Sequence, residues 1–119
     1  LLELDSDEIN EYNPDQIQIV SHLSYNVLPM SVKLLAPYPN PFNPSTTIEY
    51  DVPSGGMNIN ISIYDIRGRL VQELVDDFHN SQIEPYKTVW NAHNISSGIY
   101  FVRLKSDLNT QVQKISLIK

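Results

Sequence analysis

Thr46-Thr47-Ile48-Glu49-Tyr50-Asp51-Val52-Pro53-Ser54-Gly55-Gly56-Met57-Asn58-Ile59-Asn60-Ile61-Ser62-Ile63-Tyr64 is the stretch that decides the fold. Polar and apolar side chains alternate through both halves, a period of two that places successive residues on opposite faces of a strand. Ile48, Tyr50 and Val52 fall on one face, and Thr47, Glu49 and Asp51 on the other. In the second half Ile59, Ile61 and Ile63 point inward and Asn58, Asn60 and Ser62 outward. Pro53-Ser54-Gly55-Gly56 separates the two, because proline cannot donate to a ladder and glycine accepts positive φ.

Downstream, Asp65-Ile66-Arg67-Gly68 reads as a tight turn. Aspartate at its head can accept from backbone N–H groups two residues on, and glycine at its end can enter the left-handed region. Arg69 to Val75 then returns antiparallel as the second arm of a hairpin. Leu70, Val71, Leu74 and Val75 also fit a helical period, but the segment is short and directly follows a hairpin turn, which favours a strand. Asp76 to Glu84 reads as a polar loop. Pro85 to Asn91 is the next strand, with Tyr86, Thr88 and Trp90 on one face. Ala92 to Ser97 is a turn region closed by Gly98. Ile99 to Lys105 and Thr110 to Ile118 are the last two strands, joined by a turn at Ser106 to Asn109.

Upstream, Val32 to Leu35 is a short strand. It is followed by Tyr38-Pro39-Asn40-Pro41-Phe42-Asn43-Pro44-Ser45-Thr46-Thr47, a proline gate. Each proline fixes its own φ and pushes the residue before it out of the helical region, so an extended, polyproline-II-like course is expected. Seven short strands with turns between them predict an all-β fold, an antiparallel β-sandwich. A chain of 119 residues can bury a core of its own without disulfides, in keeping with the absence of cysteine.

Charge divides the chain. Residues 1–32 carry six acids (Glu3, Asp5, Asp7, Glu8, Glu11, Asp15) and no base, which accounts for the whole net charge of −6. This part reads as an acidic linker or the end of a preceding domain, with a candidate strand at 16–21. Residues 33–119 are formally neutral and form the folded unit. They show no basic footprint for nucleic acid and no polybasic membrane anchor. No apolar run is long enough to span a bilayer, so no membrane insertion is expected. Residue 1 is leucine, which reads as a fragment or a processed chain with room for a signal peptide upstream.

Catalytic and metal-binding patterns are weak. Without cysteine there is no thiolate or Cys-ligated zinc. His22, His79 and His93 lie in no nucleophile motif and lack zinc spacing. His79 and His93 read as exposed turn residues. Asp5, Asp7, Asn10 and Glu11 invite a calcium reading, but an EF-type loop needs an oxygen ligand where Ile9 stands and glycine where Asn10 stands. Glu49 with Asp51, and Asp76 with Asp77, read as solvated pairs rather than acid–base dyads. Tyr86, Trp90, Tyr100 and Phe101 would make an aromatic platform if exposed; at alternating strand positions they read as core. Asn60-Ile61-Ser62 and Asn94-Ile95-Ser96 match the glycosylation sequon, a short pattern that recurs by chance. No cofactor is expected and the chain does not read as an enzyme.

Four stretches stand in a telling order. They are the gate from Tyr38 to Thr47, then Ile63-Tyr64-Asp65-Ile66-Arg67-Gly68-Arg69-Leu70-Val71, then Trp90 through Ser97-Gly98-Ile99-Tyr100-Phe101-Val102-Arg103-Leu104, and last Lys114-Ile115-Ser116-Leu117-Ile118-Lys119. Together they make the chain resemble, over about residues 35–119, the C-terminal sorting domain of proteins exported by the type IX secretion system of Bacteroidetes and related bacteria. A related Ig-like module of the flagellar hook-capping protein has the same look. The resemblance implies an Ig-like sandwich with no catalysis. It also implies a tag on a larger secreted cargo that passes through the periplasm and outer membrane to the cell surface or medium. Its implied partners are the outer-membrane type IX translocon, a sortase-type peptidase that removes the tag and attaches the cargo to anionic lipopolysaccharide, and the upstream cargo domain of the same chain. Carried onto this sequence, the recognition residues are Pro39, Asn40, Pro41, Phe42, Asp65, Gly68, Arg69, Gly98, Lys114 and Lys119. A structural Ig-like spacer and a carbohydrate-binding module using Tyr86 or Trp90 are the alternatives.

Overall fold

A computed structural model describes residues 30–119; the six acids of the first segment, its candidate strand at 16–21, His22 and the calcium reading lie outside the described residues. Seven strands follow in order: β1 (Lys33–Leu34), β2 (Ser45–Asp51), β3 (Met57–Asp65), β4 (Leu70–His79), β5 (Tyr86–Asn91), β6 (Gly98–Ser106) and β7 (Thr110–Leu117). They form two antiparallel sheets, one ordered β1-β2-β5 and the other β4-β3-β6-β7. The chain alternates between sheets except at the β1–β2 step and the β3–β4 and β6–β7 hairpins, which gives an immunoglobulin-like sandwich with its fourth strand on the larger sheet.

The alternation read from the sequence sets the inner faces. Ile48, Tyr50 and Val52 point into the core from the β2 segment. Ile59, Ile61 and Ile63 do so from β3, Trp90 from β5, Tyr100, Val102 and Leu104 from β6, and Ile115 and Leu117 from β7. Of these, Ile48, Ile61, Ile63, Trp90, Val102, Leu104 and Ile115 have no exposed surface. Truncating one such side chain typically costs 2–5 kcal/mol on the scale of measured core deletions, so this layer anchors both sheets.

Five local expectations need correction. The polar stretch after Val75 is not all loop: β4 runs on to His79, with Asp76, Asp77 and Phe78 paired opposite Asn60, Ile59 and Asn58. A ladder needs only backbone groups, so an edge strand can continue through acids that face water. Ser62 is buried rather than outward-exposed, because β3 is central and Ser62 lies between Glu73 of β4 and Arg103 of β6. Its hydroxyl donates to Asn60 Oδ1 at 2.7 Å. His79 is half-buried, not an exposed loop residue. Its Nε2 meets the Tyr50 hydroxyl at 2.9 Å and its ring packs edge-on to Tyr86, 4.5 Å between centroids. Burial, then the nearby Tyr86, pushes the Tyr50 phenol up to about 12.

The gate is the fourth. It does not run as polyproline II. The peptide bonds before Pro39, Pro41 and Pro44 are cis, and the segment bends between two bridges, Tyr38 with Thr47 and Phe42 with Leu117. Pairing with distant strands overrides the local extended preference. The strand before it is also shorter than read, reduced to Lys33 and Leu34.

Candidate recognition site

The gate lies along the open edge of β7. Asn40 uses its side-chain amide as a substitute peptide group: Nδ2 donates to Lys114 O at 3.0 Å, and Oδ1 accepts from Ser116 N at 3.0 Å. Two residues on, Phe42 N donates to Ser116 O at 2.9 Å and Phe42 O accepts from Ile118 N at 3.0 Å. The result is a parallel bridge in which one rung is made by a side chain and the next by the backbone. The outer edge of the last strand, otherwise a row of unpaired backbone groups, is thereby covered from Lys114 to Ile118.

Lower on the same edge the roles reverse. Gln111 Oε1 accepts from Leu34 N at 2.8 Å and its Nε2 donates to Val32 O at 2.9 Å. Gln113 Nε2 reaches Leu34 O at 3.4 Å. β7 is thus stitched to the chain that precedes β2 along most of its length.

An aromatic layer fixes the gate from beneath. Phe42 is buried, with its ring 5.6 Å from that of Trp90. Trp90 packs edge-on to Tyr100 at 5.5 Å, and its Nε1 donates to Gln72 Oε1 at 3.1 Å. The Tyr100 hydroxyl donates to Ser96 O at 2.6 Å. A tyrosine near the start of this strand that bonds back to the preceding corner is a recurring device of immunoglobulin-like sandwiches. Complete burial removes Trp90 from any sugar-stacking platform, and Tyr100 is also buried. Of the other two aromatics read as core, Tyr86 is half-buried against the core, and Phe101, alternating with Tyr100 and Val102, is half-buried on the opposite face.

The other motif turn is built as its sequence implies. Gly68 N donates to Asp65 O at 2.9 Å. Asp65 Oδ1 accepts from both Arg67 N and Arg69 N at 2.9 Å, and Oδ2 pairs with Arg69 Nε at 2.9 Å. These bonds, the one from Arg69 N foremost, hold the Asp65 carboxyl below its ordinary range. Gly68 sits at φ +80°, where a side chain is disfavoured.

The ladder places these motifs at one end of the sandwich. Asp65 pairs with Tyr100, and Tyr100 with Ile115. The turn therefore caps the sheet two strands from β7, about 10 Å away at ordinary strand spacing. Gly98 begins β6 opposite Leu117. Pro39, Asn40, Pro41, Gly98, Lys114 and Lys119 are exposed there, whereas Phe42 is buried beneath them. Lys119 is tied down: its N donates to Ser97 Oγ at 3.2 Å and its Nζ to His93 O at 2.7 Å. Lys114 has no carboxylate in salt-bridge range among the described residues. The arrangement gathers Asn40, Phe42, Gly98, Lys114 and Lys119 around the end of β7 and leaves Asp65, Gly68 and Arg69 as a separate rim. Ser116 and Ile118 stand in the terminal motif without being among the recognition residues it implies, and Gln111 and Gln113 lie outside the motifs, although glutamines two apart on one strand face are a signal in the sequence.

What this end offers is a shaped, hydrogen-bonded ridge. Among the described residues no group of three or more His, Asp or Glu is placed to hold a metal, and His79 is engaged by Tyr50. A family model described as the secretion system C-terminal sorting domain matches residues 36–119. The chain belongs to that family. The sorting domain accordingly carries a type IX secretion C-terminal sorting signal on an immunoglobulin-like sandwich. The match begins just before the gate and ends at Lys119, so it includes both halves of the stitched edge. No curated protein and no solved structure is found to match the chain.

Proposed function

We propose that the sorting domain is a non-catalytic tag that directs a larger cargo chain through the type IX outer-membrane translocon to the cell surface or the medium. A sortase-type peptidase then acts in the linker ahead of Pro39. The observation that carries this reading is the stitched edge. Gate and terminal strand, 70 or so positions apart in sequence, form one exposed feature held by the Asn40 amide and the Phe42 backbone. A machine that reads this feature reads a completed fold, because neither half exists alone. Pro39, Asn40, Pro41, Gly98 and Lys114 are the exposed contacts in this reading. Phe42 supports them from the core, and Asp65, Gly68 and Arg69 form the second rim.

The test is to fuse the 119-residue chain to a periplasmic reporter in a host with this secretion system. Release or surface display of the reporter, with the domain missing from the mature product by mass spectrometry, supports the tag. A displayed reporter that keeps the domain supports a structural spacer instead. Retention of the folded fusion in the periplasm contradicts the proposal.

A further inference from the structure

The outer face of the larger sheet is divided. Its far half is polar, with Asn58, Asn60, Asp76, Lys105 and Asp107 around a shallow depression. Its half nearest the Asp65–Gly68 turn is apolar. There Tyr64, Ile66, Phe101 and Val112 line a groove of about 340 Å³, with Ile66 73% and Val112 55% exposed. Arg103 crosses the boundary and lines both. Its guanidinium lies 4.6 Å from the centroid of the Tyr64 ring, which holds it flat against the groove wall. Its Nε is buried without a hydrogen-bond partner, and among the described residues no carboxylate pairs with it. With Nε closed off, the terminal Nη donors of this arginine, unpaired among the described residues, remain for a carboxylate.

The surrounding charges agree. Asp65, the one acid lining the groove, is already bound by Arg69. Lys114 stands opposite Phe101 in the ladder, on the same face as Val112 two residues earlier. The groove is therefore apolar at its floor and cationic at its rim, although residues 33–119 are neutral as a whole.

We propose that this groove binds an extended polypeptide segment of a partner protein in which a carboxylate is flanked by aromatic or aliphatic side chains. The carboxylate is taken by Arg103, and an apolar side chain seats between Tyr64, Phe101 and Val112. That the partner is a component of the export machinery rests on the reading above; the chemistry of the groove does not, and the two are tested apart.

The direct test uses the ¹⁵N-labelled 119-residue chain and two capped tetrapeptides, Asp-Phe-Glu-Phe and Lys-Phe-Lys-Phe, in nuclear magnetic resonance titrations. The acidic peptide should shift the Arg103 Nε–H signal and the Phe101 and Val112 amides, and bind about tenfold more tightly than the basic one, the factor expected of one charge-assisted pair. Arg103→Gln should remove that preference. Val112→Glu, at an exposed position that leaves the core intact, should abolish binding and so serves where Arg103→Gln disturbs the fold. Equal shifts with both peptides, no shift in this groove, or shifts centred on the exposed Val89 of the other sheet would overturn the proposal whatever the fate of the export reporter. Export of the reporter at wild-type level by Val112→Glu would separate the groove from the machinery while leaving the peptide result standing.

Discussion

Replacing Asn40 isolates the link between gate and terminal strand. Its side chain makes two bonds of 3.0 Å, one donated to Lys114 O and one accepted from Ser116 N. Each such bond is worth about 0.5–1.5 kcal/mol net, and water can replace part of it at an exposed site. Asn40→Ala should therefore cost about 1–2 kcal/mol. Asn40→Asp should cost a similar amount, about 1–2 kcal/mol, because it keeps the acceptor for Ser116 N but sets a carboxylate against the Lys114 carbonyl. A domain of this size has a total stability of roughly 4–13 kcal/mol, so both variants stay folded. Urea unfolding followed by the fluorescence of buried Trp90 should show the midpoint falling by about 1 M with an unchanged slope. Amide exchange should quicken at Ser116 and Ile118 and stay as in the parent at Val102. A loss below about 0.3 kcal/mol, within the noise of a surface substitution, together with unchanged protection at Ser116, would refute the idea that Asn40 stands in for a strand rung.

Other consequences follow from single positions. Trp90→Ala removes the centre of the aromatic layer and the bond to Gln72, and should destabilise by about 3–5 kcal/mol in thermal or urea melts. Gly56 and Gly68 should respond differently to alanine. At Gly68 (φ +80°) a Cβ meets open space, so only the left-handed backbone cost of about 1–2 kcal/mol applies. At Gly56 (φ +73°) it would lie 2.7 Å from the His79 carbonyl oxygen, so Gly56→Ala should be the more damaging in the same melts. Because folding raises the Tyr50 phenol from 10.0 to about 12, the stability tied to its neutral form is complete below pH 10. It should be lost as pH rises from 10 towards 12. Tyr50→Phe should flatten that alkaline limb in a pH series of unfolding curves.

The inner-facing alternation from Ile48 to Ile63 and the Asp65–Gly68 turn were legible because their causes are local. A period of two with Ile at every second place has one face to bury, and an Asp-x-x-Gly turn makes its own bonds. What escaped depends on partners distant in sequence. Asp76 and Asp77 look like loop residues until Asn60 and Ile59 lie opposite them. Ser62 looks outward until strands cover it on both sides. The gate's prolines indicate an extended course locally, yet its path is set by Ser116 and Ile118 more than 70 residues away. The site shows the same division. Phe42 and Lys114 were carried over alike from their motifs, and only the fold separates them, burying Phe42 and exposing Lys114; the role of the Asn40 amide could be found only with β7 beside it.

The domain's assignment as a sorting signal meets its most direct test in export itself. Three versions of the reporter fusion should be compared in a host with type IX secretion: the intact chain, one lacking residues 114–119, and one carrying Asn40→Asp. The intact fusion should reach the surface or the medium. The truncated fusion, without half of the stitched edge, should accumulate in the periplasm, and Asn40→Asp should lower the exported fraction while the protein stays folded. Export of the truncated fusion at the level of the intact one would contradict the account.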